Sequence, residues 1–166
     1  FLDTRYFRSN LQSKWGKYIK NESIDSTILG DDQWSWFENE LKKESDFLII
    51  FSSIQIIPED HIYEKWANFP LERDRIFNIL EKNKSKTLLV SGDRHRGGLY
   101  KKNDIFEITA SSLNKPGSFS FESDKYLIGE TYPQENYGIL EIHKDTINVK
   151  IKDISGKTLN SVSLKY

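Results

Sequence analysis

Apolar residues fall in short blocks separated by polar stretches, and the spacing inside each block predicts an element. Asp46-Phe-Leu-Ile-Ile-Phe51 and Lys86-Thr-Leu-Leu-Val90 are continuous apolar runs, the pattern of strands buried on both faces. Trp34, Phe37 and Leu41 recur at helical spacing after Gly30-Asp-Asp-Gln33. This predicts a helix capped by Asp31 or Asp32, with Trp34 and Trp36 in or near the core. Pro70 suits the first turn of a second helix, continued by Ile76, Ile79 and Leu80. Strand, helix and strand around one sheet specify an α/β fold. Phe1 to Arg8 reads as a short buried strand entering a polar turn. Leu11 to Ile28 has no clean period and reads as loop.

After Gly98 the period changes. Leu99-Tyr100 and Ile105-Phe-Glu-Ile108 flank Lys101 to Asp104 as a hairpin. Residues Ala110 to Glu135 hold Ser, Asn, Pro and Gly and predict a long surface loop. Tyr137 to His143, Thr146 to Lys152 and Thr158 to Tyr166 alternate as three antiparallel strands, with turns at Lys144-Asp145 and Ser155-Gly156.

Composition narrows the classes. The 166 residues suit one domain. Twenty-four basic and 25 acidic residues are interspersed to a net charge of -1, so no long-range field points to nucleic acid or an anionic membrane. The absence of cysteine excludes disulfides and thiolate metal sites. No run is long and apolar enough to span a membrane, and no targeting signal opens the chain. Methionine is absent, even at position 1, and Phe-Leu-Asp-Thr-Arg opens like the end of a strand already under way. The expectation is a fragment. A half-fold of this kind would leave an apolar sheet face and an unpaired edge exposed.

The densest chemistry is Ser91-Gly-Asp-Arg-His-Arg-Gly-Gly98, directly after a predicted strand. Open α/β sheets bind ligands at that edge. Asp93 and His95 are two residues apart, so in extended backbone both side chains leave one side. A carboxylate oxygen and an imidazole nitrogen suit a divalent or trivalent metal. The plainer alternative is a turn with solvated Asp and His. Arg94 faces either a substrate phosphate or solvent. Arg5 pairs either with phosphate or with Asp3. His61 reads as a surface residue, or else as a substrate contact or proton carrier, and His143 as a surface residue.

Seven segments in series resemble the C-terminal half of a PhoD-like alkaline phosphatase, a branch of the calcineurin-like metallophosphoesterases. They are Leu2-Asp-Thr-Arg5 with Tyr6-Phe-Arg8, Leu29-Gly-x-x-Gln33-Trp34, Ser52-Ser-Ile-Gln55, Glu64-Lys-Trp-Ala-Asn-Phe-Pro70 with Glu72-Arg73, Ser91-Gly-Asp-Arg-His95, Thr109-Ala-Ser-Ser-Leu-Asn114 and Asn136-Tyr-Gly138. The resemblance implies a four-layer α/β/β/α sandwich whose C-terminal portion is residues 1–166, and export of the protein from the cytoplasm. It also implies hydrolysis of phosphate mono- or diesters by a metal-activated hydroxide at a centre of iron and calcium. Asp93 and His95 would be metal ligands, and Arg5 and His95 would serve catalysis. Arg94, Gln55, Trp66 and Asn68 would meet the substrate, with Phe69 helping to wall the pocket, although Gln55 reads equally as a loop-capping amide. The family's earlier motifs (an Asp at a strand end, a Gly-Asp loop and an Asn/Asp-His segment) are absent here. The expected partners are therefore a phosphate ester and the missing N-terminal half. The rival reading is a non-catalytic binding module; a weaker third, from the aromatic-rich loops, is a sugar- or polymer-binding β domain.

Overall fold

In chain order the elements are β1 (Gln12–Lys14), β2 (Lys17–Ile19), α1 (Gly30–Glu40), β3 (Phe47–Phe51), a 3₁₀ turn (Trp66–Asn68) and α2 (Pro70–Lys82). They continue as β4 (Lys86–Ser91), β5 (Gly97–Lys102), β6 (Ile105–Ala110), β7 (Leu127–Tyr132), β8 (Asn136–Ile142), β9 (Thr146–Asp153) and β10 (Thr158–Lys165). This computed structural model describes residues 1–117, 120 and 122–166. Five strands form one sheet in the order β3-β4-β6-β5-β7, and β10-β9-β8 form a second.

Strands β3, β4 and β6 are parallel, with Ile50 opposite Leu89 and Val90 opposite Ile108. Their carboxyl ends therefore share one edge. Leu2 makes a parallel bridge to Ser52, which delivers Asp3, Thr4 and Arg5 to that same edge. The predicted strand at the amino terminus is reduced to this bridge, because the chain turns away at Asp3, whose Oδ1 accepts the amides of Arg5 and Tyr6.

The period-two rule decides the layers. Along β4, Leu89 faces the helices, packing with Trp34, Phe37, Ile76, Phe77 and Leu80. Leu88 faces the other way, with Leu99 and Ile108, against Ile147, Val149, Ile151 and Leu164 of the second sheet. The described residues thus make three layers, helices, sheet and sheet. The apolar sheet face expected to be exposed is covered by β8–β10.

Four further expectations are corrected. Residues 11–28 contain the β1–β2 hairpin, and 110–135 contain β7, which pairs with β5. Neither strand shows an alternating pattern strong enough to read against its polar surroundings. Asp31 and Asp32 do not cap α1. Its first amide, from Gly30, goes to Thr27 Oγ1 at 2.8 Å, and the Glu72 carboxylate of α2 takes the amides of Ile28 and Leu29 at 2.7 and 3.4 Å. Trp36 is 45% exposed, because residues two apart on a helix lie on different faces.

Candidate active site

The edge where β3, β4 and β6 end gathers the candidate residues. Gln33 holds the first segment there, its Oε1 accepting the Asp3 amide at 2.7 Å and its Nε2 donating to the Asp3 carbonyl at 2.8 Å. The Thr4 and Ser53 hydroxyls meet at 2.5 Å, tying this segment to the loop after β3. A Cβ at Gly92 would stand 3.7 Å from the Ser53 carbonyl, so the loop after β4 lies against the same loop.

Arg5 bridges two carboxylates. Its guanidinium pairs with Glu64 and, through Nη2, with Asp93 Oδ1 at 3.2 Å. Glu64 also forms an ion pair with Arg8, its Oε1 lying 3.0 Å from Nε. Glu64 is nearly buried, whereas Arg5 and Asp93 are about half exposed. Asp93 is therefore held by Arg5, and Asp3 is spent on backbone amides rather than on pairing with Arg5.

Asp93 and His95 both have left-handed backbone, with φ of 70° and 50°. Asp and His are among the few side chains that visit this region readily. The turn is not the extended backbone assumed from sequence, yet alternation persists: Arg94 and Arg96 are buried while Asp93 and His95 are not. The His95 imidazole makes no hydrogen bond among the described residues. Gly117 passes so close to the His95 carbonyl that a Cβ would sit 2.5 Å from its oxygen, so only glycine fits there.

Four residues read from the sequence as substrate contacts are engaged by the fold itself. Arg94 does not face solvent: it is buried, bonded to both Glu122 oxygens at 2.6 and 2.7 Å, with the Tyr63 ring 4.3 Å from its guanidinium carbon. Gln55 lies in the core and donates to Thr109 Oγ1 at 2.8 Å. Trp66 is fully buried and donates to Ser52 Oγ at 3.1 Å, and Asn68 accepts the Lys65 amide at 2.9 Å. Phe69 is likewise buried rather than walling a pocket. An aromatic loop that packs on its own helix looks, in sequence, the same as one that lines a cleft. His143 is exposed, as expected, but His61 is not a simple surface residue. Burial, with Arg94, Lys65 and Arg96 nearby, pushes its pKa down to about 2. Burial and Arg94 lower Lys65 to about 8.

Glu64 and Arg8 stand in segments that carry the family resemblance but received no role from the sequence, and Glu122 was not singled out. They sit in segments without periodicity, where a charged residue reads as solvated surface.

The metal ligation expected of Asp93 and His95 can be tested on donors alone. Among the described residues no group of three His, Cys, Asp or Glu side chains is placed to hold a metal ion. Two donors fall short of the four or more that iron, zinc or calcium sites take. These residues do not by themselves hold such a centre.

The architecture is shared with solved structures of two longer proteins. A solved structure of PhoD aligns over 99% of this chain with a TM-score of 0.69 at 14% identity, and the chain covers 38% of it. GAP50, the anchor in the inner membrane complex of Plasmodium, aligns over 81% of this chain with a TM-score of 0.67 at 17% identity, and 42% of it is covered. At such identities the likeness is one of fold. The chain spans about two fifths of the length of either protein. No curated protein matches the sequence. The sequence pattern of the PhoD-like phosphatase family matches residues 1–148, and the chain belongs to that family.

Proposed function

We propose that the intact protein hydrolyses phosphate mono- or diesters with the help of bound metal ions, and that this chain supplies part of the site. Asp93 and His95 contribute two metal donors, and the remaining ligands lie in the part of a longer PhoD-like domain that precedes these residues. Arg5 neutralises charge on the phosphate as it develops toward the transition state. The observation that carries this reading is the meeting of Arg5 and Asp93 at the carboxyl edge of the sheet, in a chain of this family. The Arg5 guanidinium is the cation Asp93 would exchange for a metal, leaving Arg5 free for the phosphate. Export of the intact protein belongs to the same reading and rests on family membership alone.

The test is an Asp93→Asn change in the full-length natural protein. Hydrolysis of p-nitrophenyl phosphate and of bis(p-nitrophenyl) phosphate should fall by roughly a hundredfold or more, and metal content by inductively coupled plasma spectrometry should fall with it. Unchanged activity and metal content would sink the assignment.

A binding role without catalysis is the second reading. The closed Arg5–Asp93 ion pair supports it, and so does fold likeness to a protein that serves as an anchor. Full-length protein with normal folding and no hydrolysis of either ester would favour it.

A further inference from the structure

The β1–β2 hairpin adds nothing to the core. All six of its strand residues are exposed, and Trp15 at its tip is 90% exposed. Trp15 and Gly16 form the two-residue turn, with φ of 54° and 74°. Glycine takes left-handed backbone freely, whereas a bulky indole does so unfavourably. Nothing in the fold compensates: Trp15 makes no ring contact, hydrogen bond or cation–π contact among the described residues. Lys14 and Lys17 pair beside the turn and Lys20 follows β2, no acid occurs from Ser9 through Asn21, and none of the three lysines is in an ion pair among the described residues. The Tyr18 amide donates to the Ile62 carbonyl at 3.1 Å, which sets the hairpin beside half-exposed Ile62 and Tyr63.

The result is a convex projection, aromatic at the tip, cationic along its length and apolar at its foot. A convex tip cannot enclose a small ligand or cradle a nucleic acid strand, which bind in grooves. It suits a soft surface that it can enter. Indole rings partition to the headgroup level of a bilayer, where lysine stems lie along apolar surface and their ammonium groups meet lipid phosphates. The molecule's net charge of -1 does not oppose this, because at physiological salt only charges within about 8 Å act strongly.

We propose that this hairpin docks the protein on membranes rich in anionic lipid, with Trp15 entering the interface and Lys14, Lys17 and Lys20 on the headgroups. The test is co-sedimentation of the full-length natural protein with vesicles of phosphatidylcholine, alone or with one third phosphatidylglycerol. Binding is expected to the mixed vesicles only and to weaken in high salt. Trp15→Asn keeps a residue suited to the left-handed turn, and a Lys14, Lys17, Lys20→Gln triple variant leaves the turn intact. Each should lower partitioning by about tenfold or more, while the melting curve and hydrolysis of soluble p-nitrophenyl phosphate stay as in the parent. Absence of binding, equal binding to both vesicles, or binding unaffected by Trp15→Asn would overturn the proposal. So would a preference for a single-stranded oligonucleotide over mixed vesicles.

Discussion

Glu64 is the residue on which the geometry of the candidate site depends most. It is nearly buried and carries both Arg5 and Arg8, so its carboxylate decides where the Arg5 guanidinium points. Charge-assisted pairs of this kind are stronger than neutral ones and fix direction as well as distance. On the proposed reading Glu64 is a positioning residue. Glu64→Gln should raise KM for p-nitrophenyl phosphate by roughly tenfold, the weight of one charged hydrogen bond, with metal content unchanged. An unaltered KM would show that Arg5 is held by something else. The sequence marks Glu64 only as the first residue of a family segment; its role in holding Arg5 was not legible, because the loop that carries it has no period.

At the scale of elements, one carboxylate joins the two helices. Glu72, in the first turn of α2, accepts Trp34 Nε1 at 2.9 and 2.8 Å, Thr27 Oγ1 at 2.8 Å and the Ile28 amide at 2.7 Å. It thereby closes the amino end of α1, where a negative charge also complements the helix dipole. Glu72→Ala would leave a buried indole N–H and backbone amides without acceptors. We expect a loss of about 3–5 kcal/mol in denaturant unfolding and a smaller loss, about 1–2 kcal/mol, for Glu72→Gln. A cost below about 1 kcal/mol for the alanine variant would mean that water replaces the carboxylate. The helix positions were legible from Trp34, Phe37 and Ile76; the cap was not, since the carboxylate that accepts the Ile28 and Leu29 amides lies more than forty residues along the chain from them.

The whole molecule is organised around a buried acid. Glu107, in the central strand β6, is fully buried and accepts the amides of Ile56 and Ile57 at 3.1 and 2.6 Å, while Arg73 of α2 takes the Ile56 carbonyl at 2.8 Å. Sheet, helix and the loop after β3 are tied at one point. Burial outweighs these amides and raises the Glu107 pKa from 4.5 to about 7. The folded state then holds this proton more tightly than the unfolded chain does. Its contribution to stability is full below pH 4.5 and is lost as pH climbs through about 7. Relative to a Glu107→Gln variant, the parent should lose Tm by roughly 5 °C or more between pH 5.5 and 8.5. Parallel profiles for the two proteins would contradict the assignment.

What the sequence determined by itself is what depends on neighbours along the chain. The apolar runs at Phe47–Phe51 and Lys86–Val90, the helical spacing after Gly30 and at Pro70, and the three alternating strands after Asn136 each carry their own period, and each formed the expected element. The Ser91–His95 motif and its family were legible because seven short segments occur in order. Tertiary structure decided the rest, because partners distant in sequence compete for the same side chains. Arg94 is drawn inward by Glu122, an acid that no local pattern links to it. Trp66 and Gln55 could line a pocket only if the core did not need them, and it buries both. That Arg5 pairs with Asp93 rather than with Asp3 follows from Glu64 alongside it, a choice no spacing rule encodes because charge pairing is set by distance in space.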